Sequence, residues 1–192
     1  MPDDSPNQLA DELRDALDYI AISRLQATYG DVITRQAWAE LEALFVPDAP
    51  ITLDLRTGTP IELIGAAALG SMVATAIERF EYFQFALLNS VVDVVDIGDP
   101  SDPEGRTAIG RLYMWELRQN VADGRWSNAY GLYRDHYVRH EARWAIGSRS
   151  YSSLARTSTT GTSTTGTSTT GTPAAGAAGA DHDYEVFPIP PL

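Results

Sequence analysis

Moving a proton between carbon and oxygen near neutral pH takes a carboxylate or an imidazole, and a donor such as a phenol to hold the charge that develops. Four residues of those types lie in segments patterned for structure: Tyr29, Asp31, Asp54 and His136. Tyr29 follows Ile22 by seven residues and Leu25 by four, which puts it on the apolar stripe of a helix. A phenol buried there requires a hydrogen-bond partner. Asp31 comes two positions later and points about 200° away around an ideal helix. Both can face one site only if the helix ends or bends, and the intervening Gly30 allows a bend. Asp54 closes a short alternating strand, with Arg56 two positions beyond it. His136 and His140 have a spacing that suits a metal on a helix. On a strand they stand roughly 13 Å apart, so no shared ion is expected.

Aromatic surface is plentiful around these groups. Trp38, Tyr113, Trp115 and Tyr133 are the candidates to line a ligand pocket, with Tyr130 and Tyr137 nearby. Arg139, Trp144 and Arg149 read as structural, the arginines pairing across strands with Asp135 or Glu116. Other chemistries are excluded by composition. There is no cysteine, hence no thiolate nucleophile, disulfide or thiolate metal site. All 14 basic residues are arginine, so no side-chain amine can form a Schiff base. No glycine-rich phosphate loop or serine elbow occurs, and no cofactor or metal is expected. The net charge of −12, with arginines scattered singly among carboxylates, argues against nucleic acid or an anionic membrane as partner. No apolar run approaches the roughly 20 residues of a membrane span. The acidic start lacks the basic and apolar regions of a secretory signal, so a cytoplasmic protein is expected.

The elements that must hold these residues come helices first, strands later. After an arm over residues 1–7, helical periodicity runs from Gln8 to Thr34, with a break expected near Leu17 to Tyr19; Ser5 and Pro6 suit its start. A short helix follows from Ala37 to Phe45 and is ended by Pro47. Ile51 to Leu55 and Ile61 to Ile64 read as a hairpin, and Ala66 to Phe80 as a helix. Long strands are expected over Phe85 to Asp96, Thr107 to Gln119, Trp126 to His140 and Trp144 to Leu154. A turn cluster over Gly98 to Gly105 separates the first pair, and the short connections make these strands antiparallel neighbours. The strand at Thr107 carries apolar groups on both faces, and a homodimer through the sheet is expected to cover the second. Residues 157–180 contain three copies of Thr-Ser-Thr-Thr-Gly and an Ala/Gly run, which reads as a disordered linker. Residues 181–192 turn apolar again, suited either to docking on the body or partner or to a frayed end.

This order resembles the SnoaL-like family of the superfamily named after nuclear transport factor two. The residues that carry the resemblance are Leu25-Gln26-Ala27-Thr28-Tyr29, then Trp38 and Leu41 through Ala49, then Gly65 ahead of a helix. Asn89 with Val91-Val92-Asp93 resembles the first long strand, and Gly131 through Arg139 with Arg143 through Ile146 and Arg149 the closing pair. The resemblance spans residues 8–156. It implies an α+β, cone-shaped roll, in which a curved antiparallel sheet wraps three or four helices and leaves a cavity for a small, hydrophobic, often polycyclic or aromatic molecule. It also implies roles. Tyr29 would donate to a substrate oxygen, and Asp31 would serve as acid or base beside it. Asp54 would stand where steroid-isomerase relatives carry their base, and His136 would face the cavity.

Two departures weaken the catalytic part. The family more often has an acid five residues after the tyrosine, where this chain has Thr34. The dehydratase members use two histidines, yet no histidine precedes His136 and Phe85 takes the usual place of one. The expectation is therefore a pocket protein binding a small hydrophobic molecule without catalysis. The alternatives are a cofactor-free lyase or isomerase acting on a hydrophobic carbonyl compound, and the small subunit of a ring-hydroxylating oxygenase.

Overall fold

The computed structural model describes residues 6–96, 105–157 and 184–190. The linker reading of 158–180 and most of the turn cluster at 98–105 lie outside the described residues. The fold is the expected α+β roll: helix α1 (Pro6–Arg35), a 3-10 helix (Trp38–Leu44), strands β1 (Pro50–Asp54) and β2 (Ile61–Ile64), helix α2 (Gly65–Ile77), and strands β3 (Phe80–Asp96), β4 (Arg106–Asn120), β5 (Trp126–His140), β6 (Arg143–Thr157) and β7 (Tyr184–Val186). The sheet is ordered β2-β1-β6-β5-β4-β3, with β7 added to β6. It is not wholly antiparallel, because β1 lies parallel to β6 with Leu53 opposite Tyr151. Register shifts at Leu87/Asn89, Tyr130/Gly131 and His136/Tyr137 mark bulges, which bend strands and curve a sheet. Among the described residues no helix is long and apolar enough to cross a membrane.

Helix α1 is continuous, without the break expected near Leu17. What changes there is the direction of its apolar stripe. From Asp18 onward, Ile22, Leu25, Gln26, Tyr29, Val32 and Ile33 are buried against the sheet. Leu9, Leu13 and Leu17 before it, and Ile20 just after, share a stripe on roughly the opposite side and are exposed. Asp18 pins the switch point. It is buried and accepts from Trp144 Nε1 at 2.8 Å, and it pairs with Arg106 of β4 and Arg139 of β5. One carboxylate thereby ties the helix to three strands.

At the start of α2, Gly65 has φ +78°, and its N–H donates to Ala49 O at 2.9 Å. A Cβ here would lie 2.7 Å from Pro47 O, so only glycine fits. The long strands alternate as the register requires. Ala108, Leu112 and Met114 of β4 face the helices, while Ile109, Tyr113 and Trp115 face outward.

Candidate functional site

The chemistry-bearing groups converge on the inner face where α1 crosses β5 and β6. Tyr133, Asp135 and Tyr137 occupy alternate positions of β5, so all three side chains point inward. Arg149 lies opposite Asp135 in the register, and both side chains are 0% exposed. The pair is bidentate: Arg149 Nε and Nη2 each donate at 2.7 Å to the two Asp135 oxygens. Asp135 also accepts from Tyr137 Oη at 2.9 Å, and Tyr137 Oη in turn accepts from Gln26 Nε2 at 2.9 Å. The guanidinium carbon lies 4.0 Å from the centre of the Tyr29 ring and 4.2 Å from that of Tyr133. Among the described residues Arg149 Nη1 has no hydrogen-bond acceptor.

Tyr29 is walled by Phe45, Phe85 and Tyr133 in edge-on contacts, with ring centres 6.4, 5.8 and 5.8 Å away. Its hydroxyl approaches that of Tyr133 at 3.4 Å, a long contact for two oxygens. Two strand glycines make room for the remaining rings. A Cβ on Gly131 would meet the Tyr151 ring at 2.1 Å, and one on Gly110 the Tyr137 ring at 2.7 Å. The interior around Tyr29 is thus occupied by the protein's own rings.

Burial holds the tyrosines in the phenol form. It pushes the hydroxyl of Tyr29 above its ordinary value of 10, and the nearby Arg149 only partly offsets this. Tyr133, Tyr137 and Tyr151 are raised for the same first reason. For Arg149, burial works against the charge, but the Asp135 carboxylate and the neighbouring tyrosines together outweigh it and keep the guanidinium ionised.

The eight residues singled out in the sequence do not assemble into one site. Tyr29 and Tyr133 meet. Asp31 is exposed and pairs with Arg35 at 2.8 Å. Asp54, on the face of β1 opposite Ile51 and Leu53, pairs with Arg56 at 3.1 Å and accepts from the Arg56 N–H. His136 is exposed on the outer face, level with Ile109. Tyr113 and Trp115 lie half-buried on that outer face, where Trp115 Nε1 donates to Asn128 Oδ1 at 2.9 Å. Trp38 lines a surface depression with Gln36, Ala74, Ile77, Glu78 and Phe80, and none of the interior tyrosines borders it.

Arg149 and Asp135 were legible as a pair but not as the centre of the site. The signal was Tyr133-x-Asp135-x-Tyr137, three polar or aromatic groups at strand spacing. Gln26 gave a weaker one, three residues before Tyr29 on the same helical stripe. Glu116 is a further inward-facing group of β4. It pairs with Arg118, and its side chain is 18% exposed.

A curved, open sheet wrapped over helices around a buried polar centre defines the cone-shaped α+β class. The sequence model of the SnoaL-like domain matches residues 14–150, and the chain belongs to that family. A search of curated proteins found no match. Solved structures repeat the fold. An NTF2-like protein with a cystatin-like fold from Novosphingobium aromaticivorans is 22% identical and superposes with a TM-score of 0.61, covering 79% of this chain and 92% of its own. A scytalone dehydratase-like protein from the same organism gives 18% identity, a TM-score of 0.60, and coverage of 74% and 88%. The type-3 hexachlorocyclohexane dehydrochlorinase of Novosphingobium barchaimii gives 14%, 0.59, and coverage of 74% and 90%. At these identities the likeness is one of fold.

Proposed function

We propose that this chain is a pocket protein. It binds a small, largely apolar molecule carrying a carbonyl or carboxylate oxygen inside the cone, without catalysing a reaction on it. The observation that carries this reading is Arg149 Nη1, a donor on a fully buried cation that lacks an acceptor among the described residues. A buried donor without a partner costs about 1–3 kcal/mol, more on a charged group, and a ligand oxygen would recover that. The surrounding Phe45, Phe85 and Met114 suit an apolar skeleton. Because Tyr29 and Tyr133 are fully packed, entry requires one of these rings to swing aside, so binding is coupled to opening.

The positions of Asp31, Asp54, His136 and Asp135 support the non-catalytic reading. Asp31, Asp54 and His136 are each held by a surface partner or directed outward, and Asp135 spends both oxygens on Arg149. Phe85 borders Tyr29 where the family resemblance would give a histidine.

A thermal-shift screen with aromatic carboxylates, steroid ketones and polyketides tests the reading. Oxygenated members are expected to raise the melting temperature, and their oxygen-free skeletons are not. Tyr29→Phe and Tyr133→Phe are expected to weaken binding about 5–10-fold, which corresponds to about 1–1.4 kcal/mol. No shift with any oxygenated compound would sink the proposal.

A lyase or isomerase moving a proton on a carbonyl compound is the second reading, favoured by Glu116 alone. It is an inner-face carboxylate that perturbs Tyr29, Tyr133 and Tyr151 electrostatically. If any screened ligand is turned over, Glu116→Gln is expected to abolish turnover while leaving binding intact.

We also propose that two copies pair through the outer face of the sheet. Leu88, Val91, Val95 and Ile109 support this, exposed side by side on β3 and β4.

A further inference from the structure

The C-terminal residues do more than end the chain. β7 adds to the last three residues of β6, with Val186 opposite Ala155 and Tyr184 opposite Thr157. Phe187 N–H extends the ladder to Leu154 O at 2.7 Å. β1 takes the same edge of β6 from Ser152 backwards, so the segment cannot continue as a strand. Pro188 follows at that point. The chain then reaches the outer face, where Arg134 donates to Pro190 O.

Each contact reads a different side chain. Tyr184 stacks beside Tyr130 with ring centres 6.4 Å apart, and its hydroxyl accepts from Asn128 Nδ2 at 3.1 Å. Glu185 pairs with Arg156 at 2.7 Å. The Arg156 guanidinium also lies 5.3 Å from the centre of the Phe187 ring. Between these anchors, the outward positions of β6 are Ser150 and Ser152, opposite Arg134 and Leu132 of β5. Leu132, which alternation turns outward, is only 2% exposed. Tyr184, Val186 and Ile189 remain largely exposed, so the segment rests on hydrogen bonds and charge more than on apolar burial.

We infer that the end of β6 and the adjoining face of β5 form a peptide-binding edge, which the chain's own Tyr184–Pro190 occupies as a tethered, exchangeable ligand. Its partner is an extended peptide with an aromatic residue first, a carboxylate second, an aromatic fourth and a carbonyl on Arg134. Strand addition supplies affinity through the backbone, and the side-chain positions supply selectivity. Covalent attachment in the same chain raises the effective concentration of the resident segment, so it excludes weak competitors and yields to tight ones.

The experiment uses a fluorescent peptide of residues 184–192 and two full-length chains, wild type and the tail variant Glu185→Arg/Phe187→Pro. The substitutions remove the charge pair and the N–H that Leu154 O accepts. The peptide is expected to bind the tail variant at least 10-fold more tightly than wild type. Adding Arg156→Ala to the tail variant is expected to weaken peptide binding at least 10-fold. In wild type, hydrogen exchange at Val186 and Phe187 is expected to be protected to the same degree at 1 and 100 µM protein, as for contact within one chain. Equal affinity for both chains, no binding to the tail variant at millimolar peptide, indifference to Arg156→Ala, or protection that grows with concentration would each overturn the inference.

Discussion

The buried centre of this protein is an ion pair, and its two halves are unequal in what they need. Asp135 is satisfied by Arg149 and Tyr137, whereas Arg149 keeps one donor unused. Arg149→Met would strand a carboxylate in the interior, and breaking a buried pair from one side costs about 3–5 kcal/mol. Chemical denaturation is expected to show a loss of that size. Removing both charges, as Arg149→Met with Asp135→Leu, is expected to recover most of it. The tyrosines add a pH dependence whose sign is fixed by burial. Their hydroxyl pKa values are raised in the fold above the ordinary 10 that they regain on unfolding. The unfolded state therefore releases their protons first, and stability from this source is complete below pH 10 and falls as pH rises beyond it. Absorbance at 295 nm is expected to show Tyr29 and Tyr133 ionising together with unfolding, as one cooperative step above pH 10. A gradual titration with retained near-ultraviolet circular dichroism would contradict this.

Helix α1 shows how an element can satisfy periodicity and still surprise. Both of its halves have helical apolar spacing, but the two stripes face nearly opposite ways, and only the second meets the sheet. The first half is held mainly by its junction, where Asp18 pairs with Arg106 and Arg139 and accepts from Trp144. Asp18→Ala takes the acceptor from Trp144 and Arg139 and one of two carboxylates from Arg106, which keeps Asp15, and is expected to cost about 3 kcal/mol. Helical circular dichroism is expected to fall before the sheet unfolds, because the half preceding Asp18 keeps its Asp15–Arg106 pair but loses the Asp18 contacts. The hairpin between β5 and β6 is a second case. It turns through only Glu141 and Ala142, both with positive φ, a tight reversal that sequence spacing conveyed without the usual glycine.

At the scale of the whole molecule, the outer face of the sheet is shared. The C-terminal segment takes the β5–β6 part, and the β3–β4 part stays open with Leu88, Val91, Val95 and Ile109 exposed. If that open part joins two copies, sedimentation equilibrium should give a dimer whose dissociation is favoured by Val91→Arg and Ile109→Arg. The tail variant should leave the dimer intact, since its contacts lie on β5 and β6. A monomer at all concentrations would remove the dimer and leave the peptide-binding edge untouched.

Sequence alone determined the order and type of the elements from α1 to β6, though not β7, because apolar spacing at 3.6 and 2.0 residues is a local property. It narrowed the partners of Arg139 and Arg149 to Asp135 or Glu116, and the structure pairs Arg149 with Asp135 but Arg139 with Asp18. It did not determine which acids face the interior. Asp31 and Asp54 sit close in sequence to buried residues, yet the rotation of a helix and the face of a strand turned both outward. His136 lies between Asp135 and Tyr137 and is turned out by the same alternation. Only the tertiary structure decided that Asp18, unremarked in the sequence, is the buried acid that joins three strands. Its partners come from positions 88 to 126 residues away, and no local pattern records a contact over such a distance.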